Sequence, residues 1–112
     1  ALPTNNETEN LNVAVFDNPS DVNLTTLVAN ATHQIQQLDD FRQINASNTT
    51  LGGVPAYKVL YTASIGGSNL KIMQVWAINN GKSYDITYNA APDNYDKYAG
   101  TVQQMIVSFR FK

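Results

Sequence analysis

The stretch Leu70–Ala90, LKIMQVWAINNGKSYDITYNA, decides the fold. Two runs rich in β-branched and aromatic residues flank Asn80-Gly81. Asn-Gly in that position is the strongest short hairpin signal, because both residues tolerate the positive φ that a tight turn demands. With Asn80 and Gly81 as loop residues, Asn79 faces Lys82, Ala77 faces Tyr84, Val75 faces Ile86 and Met73 faces Tyr88. Side chains along a strand alternate between faces, so this set makes one apolar face. Ile72, Trp76 and Ile78 fall on the other.

Working outward, AYKVLYTASI precedes this hairpin and is joined to it by GGSN. Taking Gly67-Ser68 as the loop places Ile65 opposite Leu70, Ala63 opposite Ile72, Val59 opposite Trp76 and Tyr57 opposite Ile78. The second face is therefore apolar as well. A sheet apolar on both sides needs a cover on both.

Two helices are available. Leu24, Leu27, Val28, Ala31, Ile35 and Leu38 recur at helical spacing, with Asn23 placed as N-cap. Tyr98, Val102, Met105, Ile106 and Phe109 mark a second helix from about Asn94 to Phe109, with Asp93 as its cap and Asp96 in its first turn. LNVAVF reads as a short strand closed by the turn-rich DNPSD, and FRQINASNTTL as an edge strand running into a loop. The expected fold is α+β: a three-layer α/β/α sandwich, with a mostly antiparallel sheet of about five strands flanked by two helices. Residues 1–10 read as a polar tail, and residues 11–112 as a single domain.

Composition narrows the function classes. Charged residues are 14% of the chain, well below the roughly 25% of an average domain. The net charge is −2 and the seven Lys and Arg are scattered, which argues against nucleic acid or an anionic membrane as partner. There is no cysteine, so packing alone must hold the chain. No stretch approaches the length of a membrane span, and a chain that opens on Ala1 reads as a mature or excised segment, any anchor lying outside it. Asn6, Asn23, Asn30, Asn45 and Asn48 each open an N-x-[ST] triplet, where about two would arise by chance. An exported prokaryotic protein is the expectation, with these five asparagines as candidate glycosylation sites.

LGGVPAYKVLYT, then KIMQVWAINNGKSYDITYNA, then YDKYAGTVQQMIVSFRF, in this order and spacing, resembles a PsbP-like domain of prokaryotic or archaeal type. The pieces that match are Gly52-Gly53 with Pro55-Ala56-Tyr57, the turn Asn80-Gly81-Lys82 leading to Tyr84, Ile86 and Tyr88, and Tyr95 to Phe109. The family is named for the extrinsic lumenal subunit of photosystem II. The resemblance covers about residues 11–111 and implies an antiparallel sheet flanked by helices. One departure is visible: the family pattern usually opens with an aromatic followed by GFSIxYPxxW, and nothing like it precedes Asn10. Either this is a shortened member, or that piece lies outside this segment and an edge strand is left open. Photosynthetic members help retain calcium and chloride at a manganese cluster, but a shared fold is weak evidence for shared function.

No residue set calls for catalysis. His33 is the single histidine and lies opposite the apolar stripe of its helix; no serine sits in a nucleophile turn. SIGGSNLK joins two strands and lacks phosphate-loop spacing. Two sets of carboxylates stand out, Asp39-Asp40 after the first helix and Asp85 with Asp93 and Asp96, and neither fits a calcium loop. The second is an alternative divalent-ion site, but Asp93 and Asp96 read better as a helix start, with Asp85 on the preceding strand pointing elsewhere. Tyr57, Tyr61 and Trp76 are core aromatics that would line a groove if a family strand is missing. The expected function is a non-catalytic, extracytoplasmic module without cofactor, binding a surface or membrane-associated protein. The alternative is a small-ligand or divalent-ion binding protein.

Overall fold

The computed structural model describes residues 10–18 and 22–111. Seven elements follow one another: β1 (Asn10–Asp17), α1 (Leu24–Ile35), β2 (Asp39–Leu51), β3 (Val54–Ile65), β4 (Ser68–Asn79), β5 (Lys82–Ala90) and α2 (Pro92–Val107). The strands form one antiparallel sheet in the order β1-β5-β4-β3-β2. The expected three-layer sandwich is the observed one. Asn10, expected in the tail, is the first residue of β1; the rest of the tail lies outside the described residues.

Asn80-Gly81 does what its chemistry predicts. Asn79 pairs with Lys82, and Ala77, Val75 and Met73 face Tyr84, Ile86 and Tyr88. The β3–β4 register differs from the expected one. The loop is Gly66-Gly67, with φ of 60° and 84°, so Ile65 pairs with Ser68, Tyr57 with Trp76, Val59 with Gln74 and Tyr61 with Ile72. The reason is steric: a two-residue turn of this kind needs positive φ at both positions, which two glycines supply and Gly67-Ser68 does not. The slip is two residues, so every side chain keeps its face.

Two cores result, one on each face. Met73, Val75, Ala77, Ile86 and Tyr88 pack with Tyr95, Val102 and Ile106 of α2. Val59, Tyr61, Ile72 and Trp76 pack with Ile35 and the half-buried Leu27, Val28 and Ala31 of α1. The helices do not sit back to back: α2 lies over β4 and β5, and α1 over β3 and β4.

The helix ends are shifted from expectation. Asn23 caps α1, its Oδ1 accepting the Thr26 N–H at 2.9 Å. The helix stops at Ile35 rather than Leu38, because Gln37 and Leu38 bond three residues back and tighten the last turn. Asp40, at φ 55°, then redirects the chain. Leu38 still packs with the α1-side core, which is why its spacing looks helical. In α2, Pro92 takes the first position and Ala91 is the N-cap, with no side-chain capping bond. Pro at this place has no N–H to lose and a pre-set φ. Asp93 is therefore a first-turn residue, not the cap. β2 is an edge strand as expected, but it remains strand to Leu51, with irregularities at Asp39/Arg42 and Gln43/Asn45.

Candidate functional site

The alternative acidic group of Asp85, Asp93 and Asp96 does not assemble. Asp85 pairs with Trp76 and so points to the α1 face. Asp93 and Asp96 ride on α2, on the other side of the sheet. Among the described residues no three His, Cys, Asp or Glu side chains gather in a metal-binding group. His33 is exposed on α1, its Nε2 3.0 Å from Gln37 Nε2.

Asp85 has other work. Its carboxylate accepts from Gln74 Nε2 at 3.2 Å to each oxygen and from the Thr87 hydroxyl at 3.0 Å. Gln74 Oε1 in turn accepts a 2.6 Å hydrogen bond from the Tyr61 hydroxyl. The result is a polar chain beneath α1, surrounded by apolar side chains. Burial pushes the Tyr61 phenol well above its ordinary value, and the Asp85 charge pushes it further. Tyr61 and Trp76 are buried, and Tyr57 is half-buried. Trp76 reaches a cleft of about 260 Å³ shared with Phe16, Asn30 and Asp85, beside α1.

A larger groove lies on the opposite face. α2 covers β4 and β5, and Phe109 and Phe111 pack against the core that holds Leu51 and Ala56 at one end of β2 and β3. The same face near Asn45, Ser47, Lys58 and Leu60 is left open. The groove there measures about 350 Å³. Leu60, Met73 and Tyr88 form its floor, and Tyr95, Ala99 and Val102 its α2 wall. Gly100 lies along the same wall, and Asn45, Ser47, Lys58 and Gln103 supply the polar lining. Lys71 Nζ sits 4.6 Å from the centre of the Tyr95 ring, supporting that wall from β4. Burial raises the Tyr95 phenol above its usual range, with a further contribution from Asp96.

The third feature is the β1 edge. Asn18 N–H bonds Gly81 C=O at 2.8 Å, continuing the β1–β5 register. Antiparallel alternation then turns the even-numbered backbone groups of β1 toward β5 and those of Leu11, Val13 and Val15 outward. Val13, Val15 and Phe16 are 48%, 49% and 59% exposed. Met105 of α2 is exposed too and shares a small cleft with Leu11 and Val13. The other edge differs: β2 carries two irregularities and the charges of Asp39, Asp40 and Arg42, devices that discourage pairing.

The PsbP family pattern matches residues 4–111. The chain belongs to the PsbP family. Solved structures agree in fold. PA94 of Pseudomonas aeruginosa, a protein of unknown function, superposes with a TM-score of 0.78 at 15% identity, over 99% of this chain and 89% of its own. LpqN, involved in cell envelope biogenesis of Mycobacterium tuberculosis, gives 0.68 at 14% identity, over 95% of this chain and 65% of its own. Cyanobacterial PsbP (CyanoP) of Synechocystis sp. PCC 6803 gives 0.62 at 20% identity, over 92% of this chain and 66% of its own. This PsbP domain thus spans about two thirds of the LpqN and CyanoP chains. A comparison with curated proteins returned no match. Among the described residues no helix is long and apolar enough to cross a membrane.

Sequence reasoning passed over three residues of this PsbP domain. Gln74 had a signal, a polar residue in the middle of an apolar strand. Lys58 had a weaker one, the single charge on its strand. Gly100 had none beyond being a glycine inside a helix.

Proposed function

We propose that this PsbP domain is a non-catalytic module that works outside the cytoplasm and docks a protein partner along the β1 edge. The observation that carries the reading is the edge itself, where outward backbone groups of Leu11, Val13 and Val15 run beside exposed Val13, Val15 and Phe16. An extended segment of a partner would continue the sheet there, its main chain meeting those groups and its side chains meeting the two valines. Exposed apolar patches of this kind mark interaction surfaces.

The extracytoplasmic part rests on family membership, on the fold shared with an envelope-biogenesis protein and on the N-x-[ST] triplets. Asn48 is exposed on β2, the sheet edge farthest from β1, so a glycan there would leave β1 accessible. Asn45 is exposed on the same strand but lines the groove beside α2. Asn23 and Asn30 are exposed on the α1 side, and Asn6 lies outside the described residues.

The test is capture from native envelope extract by the wild type and by a Val13→Lys/Val15→Lys variant. A partner retained by the first and lost by the second supports the reading. A partner retained equally by both removes the β1 edge from it.

A further inference from the structure

We propose that the groove between α2 and the β2–β3 side of the sheet is a binding site for a small apolar anion, with its head group on Lys58. The ligand is an amphiphile with a short aliphatic or aromatic body and one carboxylate or comparable acid. This site is separate from the β1 edge.

Three observations converge. The floor and most of the α2 wall are apolar, from Leu60, Met73 and Tyr88 to Ala99 and Val102, and the groove holds about 350 Å³. That is at the small end of the range for small-molecule sites. Lys58 is the single charged residue lining it. The one ion pair among the described residues is Lys82–Asp17, so Lys58 has no carboxylate partner among them. A lysine of intermediate burial beside an apolar floor selects against cations and for an anion.

Gly100 supplies the third observation. It stands inside α2 with no positive φ, and a Cβ built on it would meet nothing within 4 Å. Glycine in a helix interior costs stability relative to alanine. Neither backbone conformation nor crowding within the chain calls for it. What glycine does provide is clearance beside the groove.

A peptide strand is the poorer occupant. The groove presents side chains from the face of β2 and β3, not the free edge groups a strand would pair with, and its volume suits a compact molecule.

The experiment follows amide shifts of the labelled chain during titration with octanoate to about 10 mM, with octyltrimethylammonium as the cationic match. The expected result is saturable shifts at residues 58–60 and 99–103 with octanoate and none with the cation. Lys58→Met should weaken binding by about tenfold, and Gly100→Trp should abolish it by filling the space. Val13→Lys should leave it unchanged. The proposal is overturned by no saturable shift, by equal binding of the cation, or by unchanged binding in Lys58→Met. It is also overturned if these amides shift with protein concentration alone, which would make a second copy of the chain the occupant. If Gly100→Trp does not fold, Lys58→Met decides.

Discussion

Tyr61 donates a 2.6 Å hydrogen bond to Gln74 Oε1 across the β3–β4 pair, one of the shortest links on the buried α1 face. That bond orients the amide, so Gln74 Nε2 is aimed at both oxygens of Asp85. Gln74 is only 8% exposed, and without these partners its amide would be a buried, unsatisfied group. The polar chain is tolerated in an apolar layer because each member has a partner.

Tyr61→Phe should therefore destabilise by about 1–3 kcal/mol, the cost of leaving a buried acceptor without its donor. Adding Gln74→Leu should recover part of the loss, because the orphaned group goes with it. Denaturant unfolding of the two single variants and the double variant measures the coupling. Strict additivity would mean that the Tyr61–Gln74 bond contributes nothing.

Alkaline pH should test the same residue. The Tyr61 phenol is raised above its ordinary value of 10.0 by burial, with Asp85 adding to it. The unfolded chain therefore loses this proton before the folded one. The stability involved is fully present below pH 10 and declines as pH rises beyond it. Tyr95 is shifted in the same direction. The slope of unfolding free energy against pH above 10 should be shallower in Tyr61→Phe than in the wild type.

Two glycines should respond oppositely to alanine. Gly100→Ala should stabilise by about 0.5–1 kcal/mol, since the helix gains propensity and nothing obstructs the new methyl. Gly52→Ala should destabilise: its φ is 57°, and a Cβ there would come within 2.7 Å of the Phe111 ring. Thermal melts of the two variants check both signs at once.

The helix starts make a matched pair. Asn23→Ala should cost about 1 kcal/mol, because its side chain caps α1. Asp93→Ala should cost only a few tenths of a kcal/mol, and less at high salt, because Asp93 acts through the helix dipole alone. Equal losses in urea titrations would contradict the assignment of Ala91 as the α2 cap.

Calcium at about millimolar concentration should produce no joint amide shift at Asp85, Asp93 and Asp96. The sheet stands between the first and the other two. A common saturable response would overturn that separation.

The amino-acid sequence by itself determined the layers. Side-chain period two and the Asn80-Gly81 turn assign Val75 and Trp76 to opposite faces, and even the two-residue slip between β3 and β4 leaves that assignment intact. The Leu24–Ile35 spacing and Asn23 determined α1 for the same local reason. The tertiary structure decided what lies between layers. Asp85 is near Asp93 in the chain, yet a strand face and a turn separate them, and Asp85 finds Gln74 instead. The groove exists because α2 covers β4 and β5 and leaves the middle of β2 and β3, around Asn45, Lys58 and Leu60, open. Among the described residues β1 pairs on one side only, with β5, and that leaves its other edge open. Local periodicity specifies which way a side chain points; where one element lies across another is set by packing between residues distant in the chain, and no local pattern carries that information.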